Sequence, residues 1–197
     1  MTDAKLCARC LDVIEHDVIP MTRAGVADGN KVFGAAILRK SDLSLVVAGT
    51  NGEIENPLHH GEISTLNAYY AMPASDRPAT RDCVFVSTHE PCSLCLSAIT
   101  WAGFDNFYYF YGYEDTRDAF NIPHDLKILQ EVFRVENGDY ARTNGFWSCH
   151  DLIALSAGIE DDDRPARDAQ VGRIRAAYDA LSRTYQSTKA GNDIPLS

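Results

Sequence analysis

The sequence has few positive charges, no long hydrophobic run and few cysteines. Lysine and arginine number 18 against 28 aspartates and glutamates, which gives a net charge of −10. Because nucleic-acid binding depends largely on Lys and Arg contacts to phosphates, this balance argues against a nucleic-acid partner and favours a small neutral substrate. Six cysteines in 197 residues are too few for a disulfide scaffold, which favours a reducing compartment.

The sequence also lacks the segments that direct a chain to or through a membrane. No run of about eighteen apolar residues, as a transmembrane helix requires, is present. The first residues include Asp3, Asp12, Glu15 and Asp17, where a signal peptide would be apolar. We therefore expect a cytoplasmic protein with no membrane partner.

The hydrophobic pattern predicts strands that alternate with helices. Apolar residues at three- and four-residue spacing predict a first helix over residues 6–18, ended by Pro20. Short β-branched or aromatic runs predict strands at 32–38, 43–48, 83–87 and 107–111, with the first two forming a hairpin. Further helices are predicted at 61–71, 91–101 and 126–133. This alternation is typical of a three-layer α/β sandwich.

The C-terminal part of the chain is predicted to be an addition to a single domain. We expect residues 1–158 to form that domain and residues 159–197 to contribute an acidic linker and a helix. The acidic run 160–163 is interpreted as a solvated linker rather than a cation site. An apolar seam predicts an amphipathic helix from about residue 165 to 188, which packs on its own domain or on a partner subunit.

Two short motifs on either side of a predicted strand supply metal ligands. His-Gly-Glu occupies residues 60–62, and Pro-Cys-Ser-Leu-Cys occupies residues 91–95. Cys92 and Cys95 are three residues apart, so both sulfurs can face one side of a helix. A helix N-terminus also lowers the pKa of a thiol, which favours the thiolate form that binds metal. Either motif alone is a weak signal, but the two in this order are a strong one.

Three of these residues predict a catalytic rather than a structural zinc site. His60, Cys92 and Cys95 provide three ligands, and a catalytic Zn²⁺ keeps its fourth position for water, whose pKa falls to about 7. Glu62 would take the proton of that water and return it to the leaving group. His60 and Glu62 diverge on a regular helix, so their joint use requires His60 at the helix entry.

Other residues offer competing interpretations. His59 could close the zinc coordination as a fourth ligand in a purely structural site, or it could be a loop residue that lines the pocket. Cys7 and Cys10 form a second Cys-x-x-Cys pair on the apolar stripe of the first helix, which favours core packing.

The two motifs match the H-x-E and P-C-x-x-C signature of zinc-dependent nucleobase deaminases, and the chain resembles this family over residues 33–125. The resemblance implies the cytidine deaminase-like α/β/α sandwich, with a mixed sheet and helices on both faces. It also implies one Zn²⁺ per subunit on His60, Cys92 and Cys95, Glu62 as proton carrier, and a homodimer.

Two branches of the family resemble different segments. Residues 60–66 resemble fungal cytosine deaminases, whereas residues 95–102 and 113–125 resemble bacterial guanine deaminases. We therefore expect hydrolytic deamination of a free nucleobase, with guanine favoured and cytosine, or a related aminoheterocycle or nucleoside, as the alternative. A tRNA or polynucleotide deaminase would share the metal site, but the acidic charge argues against it.

The resemblance also suggests how the substrate is bound. Asn51 would hydrogen-bond a ring heteroatom, and Phe33 or Trp101 would stack on the base. Asp118 or Asp125 would shape the pocket from the loop after the metal-binding helix. A core position for Trp101 and solvated loop positions for the two aspartates remain the alternatives.

Overall fold

A five-stranded sheet forms the centre of the computed structural model, which describes residues 2–196. The strands are β1 (Gly34–Arg39), β2 (Leu45–Thr50), β3 (Cys83–His89), β4 (Asn106–Tyr111) and β5 (Ser148–Asp151). Their spatial order is β2-β1-β3-β4-β5. β1 is antiparallel to β2 and β3, whereas β3, β4 and β5 are mutually parallel, so the sheet is mixed.

Helices cover both faces of the sheet. They are α1 (Asp3–Val13), α2 (Ile19–Ala27), α3 (Gly61–Ala71), α4 (Ser93–Ala102), α5 (Tyr113–Asp118), α6 (His124–Phe133), α7 (Leu152–Ala157) and α8 (Arg164–Thr188). α1, α2, α7 and α8 share a core with one sheet face, and α3 and α4 share a second core with the other. The expected three-layer sandwich is confirmed. Within the described residues, no helix is both long and apolar enough to cross a bilayer.

Residues of the central strands alternate between the two cores. In β1, Ala36 and Leu38 pack with the α1 side, whereas Ala35 and Ile37 pack with the α3 side. A strand covered on both faces needs apolar side chains at every position, which explains the continuous hydrophobic run in this segment.

The prediction that Pro20 ends the first helix was wrong. A π-helical stretch, Ile14–Val18, joins α1 to α2, and Pro20 lies in the first turn of α2. In the π-helical stretch the Ile19 amide donates to the Ile14 carbonyl, five residues earlier. The wider turn interrupts the regular α-helical bonding just before the proline, and proline is tolerated in a first helical turn.

The C-terminal helix α8 packs on its own chain. Its buried residues Ile174, Tyr178 and Leu181 belong to the same core as α1 and α2. Near its start, the buried Arg167 guanidinium pairs with Asp161 at 2.5 Å and donates to the Ile159 carbonyl at 2.8 Å. The acidic run is therefore not simply a solvated linker, because one of its carboxylates neutralises a buried cation.

His89, the last residue of β3, is buried among aromatic rings. The rings whose centroids lie 4.6–5.4 Å from its own are those of Phe33, Tyr111, Phe120 and Tyr178. Its Nδ1 lies 3.0 Å from Thr88 Oγ1, and its Nε2 has no partner within residues 2–196. Burial lowers the pKa of His89 from 6.5 to about 3.

Replacing His89 by leucine is expected to reduce the acid sensitivity of folding. Below pH 6.5 His89 is protonated in the unfolded chain but not in the folded one. The free energy of unfolding therefore keeps its full value above that pH and, through His89, decreases as the pH falls towards 3. Within this range, each unit decrease in pH lowers the free energy of unfolding by about 1.4 kcal/mol. Denaturant titrations at pH 7.5 and 5.5 should therefore show a loss about 1.4 kcal/mol larger in the wild type than in H89L. Equal losses in the two proteins would contradict this assignment.

Candidate active site

His60 lies at the entrance of α3, where the backbone is still extended. Its φ of −63° and ψ of 160° place it at the N-cap, as the joint use of His60 and Glu62 requires. Gly61 follows because the first turn of α3 lies directly against β1. A Cβ atom on Gly61 would lie 2.6 Å from the Gly34 Cα, so a larger residue would push the helix away.

The two cysteines lie at the start of α4, immediately after β3. Cys92 is the N-cap residue and Cys95 lies in the first turn. Pro91 precedes the N-cap and is not in the first turn, a small correction to the predicted helix. His60 Nδ1 lies 3.4 Å from Cys92 Sγ and 3.7 Å from Cys95 Sγ.

This group has the composition and the dimensions of a zinc site. The ligand atoms of His60, Cys92 and Cys95 all lie within 4.8 Å of one another. Around a tetrahedral zinc ion, sulfur ligands at about 2.3 Å and nitrogen ligands at about 2.0 Å lie roughly 3.5–3.8 Å apart. One imidazole and two thiolates are also ligands that zinc prefers. Within residues 2–196 the group consists of these three, and His59 is not part of it.

Glu62 lies beside this group in a buried position. Its Oε2 is 3.2 Å from Cys95 Sγ, and its Oε1 accepts a hydrogen bond from Ser87 Oγ at 2.9 Å. Burial, followed by the negative charge of Cys92, raises the pKa of the Glu62 carboxyl. A carboxyl group with a raised pKa is suited to taking up and releasing a proton near neutral pH.

A cavity of about 420 Å³ opens beside the ligands. Its apolar wall includes Phe33, Leu58, Leu94, Ile122 and Ile128. Its polar lining includes Lys31, Glu53, His124 and Asp125. The C-terminal residues Ile194, Pro195 and Leu196 form a further side, held in part by a hydrogen bond from Asn192 Nδ2 to the Gly29 carbonyl. A largely apolar cavity with a few polar groups is typical of a small-molecule site.

The structure brings only some of the expected substrate residues to this cavity. Phe33 and Asp125 line it. Burial, with a contribution from the negative charge of Cys92, raises the pKa of the Asp125 carboxyl. Asn51 is not among the lining residues; it is buried next to Glu53, which does line the cavity and to which its Nδ2 donates at 2.6 Å.

Two of the expected residues lie elsewhere. Trp101 is 91% exposed, because it is two residues beyond the buried Ile99 and a helix rotates by about 100° per residue. It therefore lies on the solvent side of α4, neither stacked in the cavity nor part of the core. Asp118 lies on the surface, where its carboxylate pairs with Arg117 at 2.6 Å.

Sequence reasoning missed Lys31, Glu53 and the C-terminal residues of the cavity. Glu53 offered one signal, since it lies in the loop between two residues that were singled out, Asn51 and His60. The C-terminal segment has no hydrophobic periodicity, so nothing in its own sequence indicated that it would reach the cavity.

Comparison with known proteins identifies the fold and the family. Residues 12–111, just over half of the chain, match the cytidine and deoxycytidylate deaminase zinc-binding region. A guanine deaminase from Nitrosomonas europaea is 21% identical with a TM-score of 0.50, over 83% of this chain and 81% of that chain. The protein NE0047 in complex with 2,6-diaminopurine is 20% identical with a TM-score of 0.52, over 90% and 82% of the two chains.

A guanine deaminase from Bacillus subtilis is 18% identical with a TM-score of 0.49, over 80% of this chain and 90% of that chain. No curated protein sequence gives a significant match. The similarity to the two structures with TM-scores of 0.50 and 0.52 establishes a common fold. The matched segment 12–111 contains the whole ligand group and Glu62. The chain therefore belongs to the family of cytidine and deoxycytidylate deaminases that share this zinc-binding region.

Proposed function

We propose that this zinc deaminase hydrolyses the amino group of a free nucleobase, with guanine as the preferred substrate and ammonia as a product. The observation that carries the proposal is the position of Glu62. It is a buried carboxylate 3.2 Å from Cys95 Sγ, beside a ligand group of which His60 and Cys92 line a cavity of about 420 Å³. This position supports a role for Glu62 as the proton carrier for a small substrate bound in the cavity.

The metal ligands, Glu62 and Ser87 have different roles in the proposed reaction. Zinc, when held by His60, Cys92 and Cys95, supplies Lewis-acid activation of water. Glu62 takes a proton from the attacking water and delivers it to the departing nitrogen, which leaves as ammonia. The hydrogen bond from Ser87 fixes one oxygen of Glu62 and leaves the other directed at the ligand group.

The cavity supports a flat heterocycle with N–H donors. Phe33 and Ile122 provide apolar walls, and the Asp125 carboxylate offers an acceptor. Guanine has N–H groups along more than one edge, so it can satisfy Asp125 while its ring contacts the apolar wall. The shared fold with the Nitrosomonas europaea guanine deaminase is in keeping with this choice. Cytosine, which is smaller, is the alternative substrate.

Ammonia release from a panel of bases tests the proposal. Zinc-loaded protein is incubated with guanine, 2,6-diaminopurine, adenine, cytosine and cytidine, and chelator-treated protein serves as the control. We expect kcat/KM for guanine to exceed that for cytosine by about tenfold or more, because guanine fills more of the cavity and makes more hydrogen bonds. A higher kcat/KM for cytosine than for guanine would make cytosine the preferred substrate. No turnover of any base would refute the proposed substrate class.

The expected homodimer stays a prediction, and so do the cytoplasmic location and the absence of a nucleic-acid partner. Trp101 offers a surface on which a second copy of the chain could pack, since it is 91% exposed on α4. The half-exposed Tyr70 on α3 lies nearby and donates its hydroxyl to the Ala102 carbonyl at 3.2 Å. Exposed aromatic side chains of this kind are enriched at protein interfaces.

A further inference from the structure

Glu53 connects two residues that the proposed reaction requires. It lies in the loop between Asn51 and His60 and is only 3% exposed. Its Oε2 accepts a hydrogen bond from Asn51 Nδ2 at 2.6 Å, and its Oε1 accepts one from Lys31 Nζ at 2.8 Å. The same Oε1 lies 3.8 Å from His60 Nε2. A single buried carboxylate therefore contacts the amide of Asn51 and faces the imidazole of His60.

The surrounding loop holds Glu53 in this position. The Gly52 amide donates to the His59 carbonyl at 2.8 Å, which brings the two ends of the loop together. The Ile54 amide donates to Asn30 Oδ1 at 2.9 Å. A buried carboxylate costs several kcal/mol unless it is paired, and the buried ammonium of Lys31 provides that pairing.

The contact with Glu53 fixes the orientation of the Asn51 amide. A carboxylate only accepts hydrogen bonds, so Asn51 must turn its NH₂ group towards Glu53. Its Oδ1 is then a buried acceptor, and it has no partner in the part of the chain that the structure describes. An unpaired buried acceptor costs about 1–3 kcal/mol, which a substrate N–H donor would recover on binding.

The second contact is with the ring nitrogen of His60 that does not face the sulfurs. Because Nδ1 faces the two sulfurs, the opposite ring nitrogen, Nε2, faces Glu53. The separation of 3.8 Å is too long for a hydrogen bond but short enough for a charge interaction in a buried site. A carboxylate that accepts a hydrogen bond from the second nitrogen of a ligating histidine orients the ring and strengthens its bond to the metal, and Glu53 is the carboxylate that faces this nitrogen.

We propose that Glu53, held by Lys31, is a positioning residue that presents Asn51 as an acceptor to a substrate N–H and orients His60 for zinc. The role towards Asn51 rests on the proposed function. The role towards His60 requires only that the site binds zinc, and the two roles are therefore tested by separate measurements.

Zinc affinity tests the role towards His60. E53Q keeps the size of the side chain and removes its charge, and E55Q makes the same change at an exposed position in the same loop. Chelator competition should show zinc binding weakened about tenfold or more in E53Q and unchanged in E55Q. Since Lys31 is left unpaired in E53Q, the double variant K31M/E53Q serves as a second reference with both charges removed. Zinc affinity equal to that of E55Q in both variants would overturn this role.

Substrate kinetics on zinc-saturated protein test the role towards Asn51. We expect E53Q to raise KM about tenfold with a smaller change in kcat, because the amide of Asn51 is no longer fixed. The exchange N51D/E53Q keeps one carboxylate and one amide and restores an acceptor at position 51. It should recover a KM below those of E53Q and N51D alone, and a failure to do so would overturn this role. If the wild type turns over no base, the proposed function fails. The zinc-affinity measurement then still tests the role of Glu53 towards His60.

Discussion

Replacing Glu62 by glutamine is expected to lower kcat by about 10²- to 10⁴-fold while one zinc per chain stays bound. Glutamine has the same shape and can still accept the hydrogen bond from Ser87, but it cannot carry a proton. Glu62 is also not one of the three residues whose ligand atoms converge, so its loss should leave the metal in place. Zinc content by atomic emission and ammonia release, measured on the same preparation, check both parts.

The control for this experiment is a change to a carboxyl group that lines the cavity. Asp125→Asn removes a carboxyl group from the cavity lining but leaves the proton carrier intact, so it should act mainly on KM. E62Q should instead act mainly on kcat. A variant E62Q that keeps more than about a tenth of the wild-type kcat, or that loses zinc, would contradict the role given to Glu62.

The secondary structure could be predicted best where elements are long or buried on both faces. The hydrophobic runs of β1 and β3 and the seam of α8 are direct consequences of burial, and their periodicity is visible in the sequence. β5 and α7, with 4 and 6 residues, are too short to show a clear period. The break expected at Pro20 was wrong because proline in a first helical turn and proline after a helix leave similar signals.

In the candidate site, too, residues in short local motifs could be predicted from the sequence, whereas residues that meet only in the folded chain could not. The zinc group could be predicted because each ligand lies in a short motif whose spacing reflects its chemistry. Lys31 and Glu53 are 22 residues apart, and Ile194 comes from the far end of the chain, so only the folded structure brings them to one cavity. Trp101 was placed wrongly because a resemblance gives the residue type but not the face of the helix that it occupies.

The fold explains why the zinc group forms where it does. β3 leads directly into the N-cap of α4, and the loop after β2 leads into the N-cap of α3. The N-termini of both helices therefore meet at the site. The partial positive charge of a helix N-terminus favours a thiolate at Cys92, and at Glu62 it opposes the larger effect of burial, which raises the pKa of that carboxyl. The same arrangement brings one imidazole and two sulfurs together from segments 32 and 35 residues apart.

Replacing His60 by alanine is expected to remove both zinc and turnover. The variant keeps only the two sulfur ligands. Because a zinc site's binding free energy of roughly 10–16 kcal/mol comes from only a few ligands, the loss of one should lower zinc affinity by about 10²-fold or more. After gel filtration the variant should hold less than about a tenth of the wild-type zinc. Its thermal midpoint should not rise when zinc is added, whereas that of the wild type should, because ligand binding stabilises only a fold that binds it.

His59→Ala provides the matched control, since it removes a neighbouring imidazole that is not part of the ligand group. The main-chain hydrogen bond between Gly52 and His59 is retained in this variant, so the loop should keep its shape. H59A should therefore hold stoichiometric zinc and retain activity. The outcome that opposes the assignment is equally clear: zinc retained by H60A, or lost from H59A, would mean that the metal is held by a different set of ligands.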